Sequence, residues 1–259
     1  SSDDITNYIR NFIKINKNAK LTLVEDFSGA DSKRNSFNIF NNFWLEKGSR
    51  VEHIIIQNFE QSSDLVYSSL IYCYEQSLFN QFSFQKGGQS VKLQHSTNLL
   101  GPNSSAVHGG VYFGKNKQFI DNKTAVVHHV ENCKSNQKYK GVLTDESNAT
   151  YLSNTLVKPE AQKTNGYQLS RGMLLSDKCK LNTKPELKIY ADDVKCSHGS
   201  TIGAIDQNQL FYLQSRGLSK MDSENLLIKA FCKDVLEMIE DDKIRSNISL
   251  LIDDWLINK

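Results

Sequence analysis

The densest chemistry in the chain lies between Lys184 and Gly217, in the run KPELKIYADDVKCSHGSTIGAIDQNQLFYLQSRG. On an extended strand Val194, Cys196 and His198 share one face while Lys195 and Ser197 share the other, so a thiol and an imidazole project side by side, about 7 Å apart. Soft sulfur beside imidazole suits iron, zinc or copper(I). Two ligands cannot close a metal site, so from the spacing alone the pair reads first as a small buried thiol and a hydrogen-bonded core histidine. Other candidates carry less. His128 and His129 are adjacent, so on a strand they face opposite ways and cannot chelate together. Asp192 and Asp193 fit a turn, and Gly87-Gly88 and Gly109-Gly110 mark tight turns. Neither G-x-x-x-x-G-K-S/T nor G-x-G-x-x-G occurs, so the chain alone is expected to hydrolyse no nucleotide.

The 259 residues, 39% hydrophobic and 23% charged, have the composition of an ordinary soluble protein with enough apolar mass for a core. No window approaches the run of about 18 apolar residues that crosses a bilayer, and Ser1 to Arg10 is polar rather than a basic-then-apolar leader. Lys and Arg number 31 against 29 Asp and Glu, a net charge of +2 that makes a phosphate backbone a poor first partner. Five scattered cysteines without a C-x-x-C argue against a disulfide framework or a zinc ribbon and for a reducing compartment. The N-x-S/T sequons at Asn103, Asn122, Asn148 and Asn247 are expected by chance in so Asn-rich a chain.

The elements that must hold Cys196 and His198 read as many short strands. Leu21, Leu23 and Phe27 fall on one face, as do Val91, Leu93 and His95, and again Leu187, Ile189 and Ala191. Helical crossovers are missing between Leu21 and Gly203, which leaves a sandwich, a barrel or a β-solenoid. Small residues inside strand-like runs, at Cys133, Ala149, Ala161, Cys179 and Cys196, recur at irregular intervals of the order of one solenoid coil. The character changes at Asp206, an N-cap for a helix over Gln207 to Arg216 that Gly217 stops. A second helix after Asp222 carries a wide stripe of Leu226, Leu227, Ala230, Phe231, Val235, Met238 and Ile239, and a third covers Ile244 to Ile257. The expected division is a short N-terminal segment (1–20), a β core (21–206) and a helical end (207–259).

The Lys184 to Gly217 run resembles the C-terminal signature of the SufB/SufD family, the scaffold subunits of the SUF iron-sulfur cluster assembly system. AKLTLVEDFSG at Ala19 to Gly29 is similar to the family's entry into its β-helix, and GYQLSRGMLLSDKCKLNTKPELKIYADD at Gly166 to Asp193 to its last coils. LFYLQSRG and the Leu226 to Ile239 helix resemble its helical end. The resemblance implies a right-handed parallel β-helix followed by a C-terminal helical segment, in a non-catalytic subunit that pairs with SufB and docks the ATPase SufC. A transient iron-sulfur cluster would be built at the SufB interface, with none tightly bound to the isolated chain. It places the functional histidine of C-S-H-G on His198 and a nearby cysteine on Cys196, both candidate iron ligands, and puts ATPase docking on Leu227, Phe231 and Leu236. The cysteine of the SufB branch falls at or beside Ser170 and is absent, which favours the SufD branch; Cys179 then packs a coil. Family members usually carry a longer helical N-terminal domain than the short stretch before Leu21. The implied setting is a bacterial cytoplasm, or a plastid for a processed chain, with a homodimer expected when SufB is absent. Two competing readings are a polysaccharide-active enzyme on a β-helix, for which no convincing carboxylate pair is found, and an interaction protein in which the solenoid is a spacer.

Overall fold

The computed structural model describes residues 5–29, 35–59 and 63–259, and in it the chain winds into a parallel β-solenoid with three helices laid along one side. Among the described residues the strands are β1 (Ile5–Ile15), β2 (Lys20–Gly29), β3 (Asn35–Leu45), β4 (Arg50–Phe59), β5 (Asp64–Cys73), β6 (Leu78–Lys86), β7 (Ser90–Leu99), β8 (Ser105–Gly114), β9 (Phe119–His128), β10 (Lys134–Leu143), β11 (Asn148–Val157), β12 (Thr164–Leu174), β13 (Lys180–Ile189) and β14 (Val194–Ala204). Odd-numbered strands form one seven-stranded parallel sheet and even-numbered strands the other. Each coil therefore gives one strand to each sheet.

Leu78 pairs with Ser105, and Lys134 with Asn165, so one full coil carries the chain through two strands and two corners. The interval from Cys133 to Ala149, expected to be of the order of a coil, is thus half of one. The expected short N-terminal segment is also corrected. Residues 5–15 are the first strand of the solenoid, paired along its length with β3. Asn7 and Asn11 break the apolar alternation there, and the Asn11 amide is satisfied across the rung by Asn41 at 2.9 Å.

The corners explain the polar runs between strands. Asn18, Gly48, Gln76, Asn103, Asn132 and Lys163 take positive φ at equivalent corners, a conformation that Gly and Asn adopt most readily. N–H groups at these corners bind the next coil, as from Asn18 to the Lys47 carbonyl and from Asn132 to the Gln162 carbonyl. Small residues close several of the corners: the Ser49, Ser77 and Ser147 hydroxyls donate to the carbonyls of Glu46, Tyr74 and Thr144 at 2.6 to 2.7 Å. Cys179 fills the same role against the Ser176 carbonyl. That is why it is small and buried, as the coil-packing reading of Cys179 required.

The two sheets differ on their outer faces. Odd-numbered strands such as β5, β7 and β11 alternate buried and half-buried, whereas β4, β6 and β8 are buried nearly throughout, the pattern of strands covered on both sides. The cover is α2 (Lys220–Leu236) and α3 (Asp242–Ile257), preceded by α1 (Gln207–Ser215). Asp206, Ser219 and Asp241 cap the three N-termini, and Gly217 follows α1 at φ +95°. Ile228, Cys232, Val235, Leu236 and Ile239 pack with Trp255 and Leu256 onto Ile54, Ile56, Phe82, Phe84, Val111 and Phe113. The buried stripe of α2 is thus rotated from the expected one: Ile228 and Cys232 belong to it, while Leu226 is exposed. Lys138 and Lys140 on β10 reach Asp234, and the Lys140 ammonium also sits over the Phe231 ring, 4.6 Å from its centroid. Asn80 donates to the Met238 carbonyl at 3.2 Å, and Glu52 accepts from the Glu240 N–H at 2.8 Å. None of the helices is long and apolar enough to cross a membrane.

Gly141 stands one rung from Tyr112, whose buried ring occupies the place a side chain at 141 would need. Gly141→Ala is expected to lower stability by about 1–3 kcal/mol in urea unfolding. Gly199→Ala, which meets only Leu169 Cδ1 at 3.5 Å, should stay within about 0.5 kcal/mol of the parent; equal effects would show that rung stacking does not limit side-chain volume.

Candidate functional site

β13 and β14 are the last strands of their sheets, so the interior of the solenoid opens between them. Cys196, His198 and Ser200 project from β14 on the lumen side, opposite Thr183, Pro185 and Leu187 of β13, with the Thr183 and Ser200 hydroxyls hydrogen-bonded across the gap. The pair singled out in the sequence therefore lies at an open mouth. Cys196 is half-buried, its sulfur resting over Gly166 one rung below and near Val157, Ala161 and Ala191. His198 is on the same face but exposed. Burial raises the Cys196 thiol above its ordinary value and outweighs the backbone hydrogen bond from Gly166, so it rests as a thiol. Among the described residues no three His, Cys, Asp or Glu side chains gather as a metal set. Cys196 and His198 are two donors of an unfinished site.

Beneath the mouth runs a feature that the sequence reading missed. The register places His53, Gln81, His108, Gln137, Gln168 and His198 in a single column of the even-numbered sheet. Facing it are Asn41, Ser69, His95, Thr124 and Ser153 of the other sheet. Except for His198 all are buried. They bond to one another and to neighbouring hydroxyls: Ser69 Oγ with His95 Nδ1 at 2.7 Å, His108 Nε2 with Thr97 Oγ1 at 2.9 Å, and Thr155 Oγ1 accepting from both Gln137 and Gln168 at 2.8 Å. At the far end Glu25 holds His53 and Tyr67, each at 2.6 Å, and accepts from Asn41. Although burial opposes its ionisation, the His53 hydrogen bond and charge, with Tyr67 and Asn41, hold Glu25 below its ordinary value. A His or Gln recurring once per coil from His53 to His198 was the available signal.

His128 and His129 do face opposite ways: His128 is buried against Ser135 at 2.8 Å, while His129 meets Asn98 at 3.0 Å. Ser170 is buried one rung below Ser200. The residues expected to dock an ATPase are largely used within the molecule. Leu236 lies in the core between α2 and its sheet, and Phe231 is partly buried over Lys140; Leu227 is half-buried beside a groove of about 700 Å³ whose other wall is Thr201–Ile205. The sheet covers the face that the stripe was expected to offer a partner. Exposed apolar groups lie instead at Phe211 and Tyr212, 73% and 61% accessible, and at Met221 and Leu226.

Comparison with known proteins agrees with this architecture. The family profile described as SUF system FeS cluster assembly, SufBD core domain, matches residues 1–231. The iron-sulfur cluster assembly protein SufD of Escherichia coli K12 is 29% identical over 245 residues, covering 94% of this chain and 57% of that protein. A SufBD family protein of Synechocystis is 29% identical over 240 residues, 89% of this chain and 52% of its own length. The chloroplastic protein ABCI7 of Arabidopsis thaliana is 28% identical over 238 residues, 91% of this chain and 50% of its own. The chain spans about half the length of these relatives.

Burial pushes His95 well below the ordinary imidazole value, His108 down to about 3 and His128 down to about 4. Each binds a proton more readily unfolded than folded, so its stabilisation is complete above the unfolded value near 6.5 and is lost as pH falls toward the folded one. Stability should therefore drop below pH 6.5, by up to about 1.4 kcal/mol per pH unit per histidine, in urea titrations at pH 7.5 and 5.0. Equal midpoints would contradict the burial of these three histidines as neutral imidazoles.

Proposed function

Since the chain belongs to the SufBD core family of the SUF iron-sulfur cluster assembly system, we propose that it works as a SufD-type scaffold subunit, with Cys196 and His198 as its contribution to the site of cluster building. The observation that carries this reading is the placement of both donors at the uncapped mouth of the last coil, where a second subunit can complete the ligand set. The nascent cluster is the cargo. A neutral imidazole offers one lone pair to iron and exchanges more readily than a thiolate, which suits a cluster that must leave. Cys196, held as a thiol by burial, becomes a better ligand when iron displaces its proton.

The partner in this reading is SufB, meeting the edges of β13 and β14, since the last strands of both sheets leave backbone N–H and C=O groups unpaired. A homodimer through the same edges is the outcome when SufB is absent. SufC, the ATPase, docks on the C-terminal helices through Phe211, Tyr212, Met221 and Leu226, because Leu236 and much of Phe231 are occupied by the sheet. The chain would then act without catalysing a reaction of its own, in the bacterial cytoplasm or a plastid.

The decisive test is anaerobic reconstitution of the complex with His198→Ala, reading iron, sulfide and thermal unfolding together. Because His198 is exposed, bound cluster should be lost with the melting temperature unchanged; full cluster content would refute its role. A paired test addresses docking. Phe211→Asp with Tyr212→Asp should abolish capture of SufC by a still-folded chain, whereas Phe231→Asp should lower stability by about 1–3 kcal/mol through the Lys140 and core contacts. Undiminished capture by the Phe211/Tyr212 variant would exclude α1 from the interface.

A further inference from the structure

Two histidines of the lumen column stand one rung above a glutamine. Gln81 on β6 pairs with His108 on β8, and Gln168 on β12 pairs with His198 on β14. In the lower pair the contact is made: Gln81 Oε1 lies 3.2 Å from His108 Nδ1, while His108 Nε2 is 2.9 Å from Thr97 Oγ1. In the upper pair every part is present except the bond. Gln168 is 3% exposed, and its Nε2 donates to Thr155 Oγ1 at 2.8 Å and to the Glu186 carbonyl at 3.2 Å. A carbonyl only accepts, so the amide orientation is fixed and Oε1 is the other atom. That oxygen is buried and has no hydrogen-bond partner, a costly state for an acceptor.

We propose that Gln168 is a positioning residue for His198: its Oε1 accepts a hydrogen bond from His198 Nδ1–H, which fixes the tautomer and leaves the Nε2 lone pair facing out of the mouth toward iron. The inference rests on the reading of His198 as an iron ligand. Rungs stand about 4.8 Å apart, so a side-chain rotation of His198 is enough to bring a ring nitrogen within hydrogen-bond range of the oxygen below. The lower pair shows that this geometry is compatible with the column. A ligand histidine held at its second nitrogen by a fixed acceptor is oriented and made more basic toward metal. The glutamine is in turn held by the Thr155 hydroxyl, which Gln137 Nε2 also contacts at 2.8 Å, so the orientation of the exposed imidazole is set from the buried interior.

The test uses the full chain with ¹⁵N-labelled histidine at pH 8, where an ordinary imidazole is neutral. Long-range ¹H–¹⁵N correlations report which ring nitrogen carries the proton, with His198→Asn identifying the signals. The expected result is a predominant Nδ1–H tautomer for His198. Gln168→Leu should return it to the Nε2–H form that prevails in a solvated neutral histidine side chain, and Gln168→Glu, which keeps an acceptor oxygen, should retain Nδ1–H. A predominant Nε2–H form in the unaltered chain, which needs no variant to observe, or a tautomer unmoved by Gln168→Leu, would overturn the proposal. The measurement requires no cluster. If His198→Ala leaves cluster content intact while the tautomer still follows residue 168, the ligand reading fails and the positioning contact stands.

Discussion

Everything in this molecule depends on the parallel rung: backbone hydrogen bonds that set each position of one coil above the same position of the coil before. Because every strand pairs with its neighbours in unbroken register, side chains form columns, and a column repeats whatever chemistry its first member needs. Small hydroxyls recur at corners because each must close on the carbonyl that opens its own turn. Gly141 is a glycine because the Tyr112 ring uses its space. Side chains of one column meet at rung spacing, about 4.8 Å, so large residues stack, as Trp44 on Tyr72, and a ring that crosses into the next rung, as Tyr112 does, needs a glycine there.

The same constraint makes the polar interior tolerable. An isolated histidine in a solenoid lumen would carry uncompensated desolvation, but a column of His, Gln, Ser and Thr places hydrogen-bonding groups one rung away or across the gap. Thr155 serving two glutamines and Ser69 serving His95 are instances. Glu25 and His53 close the far end as a hydrogen-bonded pair, the carboxylate largely screened from water and further held by Tyr67 and Asn41. Buried networks of this kind favour one register over its slipped alternatives, since the smallest slip would turn every polar member outward.

Much of this is legible in the sequence because it is local. Alternation marks the strands, Asp206 and Gly217 bound the first helix, and the shared face of Cys196 and His198 follows from the two-residue period of a strand. What is not legible depends on distance along the chain. The first strand is hidden by Asn7 and Asn11, whose fitness comes from a partner coil: Asn11 is satisfied across the rung by Asn41. The stripe of α2 cannot be read without its cover; once β4, β6 and β8 take Ile228, Cys232 and Leu236, the apolar residues left exposed include Phe211 and Leu226. The His and Gln column is invisible to short windows because its members lie a full coil apart and its chemistry alternates.

His198 differs from His108 in where the column stops, not in its local sequence logic. His108 has coils above and below, so Gln81 and Thr97 satisfy both of its nitrogens and burial keeps it neutral. His198 belongs to the last rung, with Gln168 below and no strand of this chain above among the described residues. An interior position at the end of a stack keeps the geometric precision of the ladder on one side and is open to a partner on the other. In the proposed reading, a residue that would be structural in any earlier coil is thereby free to meet iron, and the coil beneath it supplies the rigidity that a loop-borne ligand would lack.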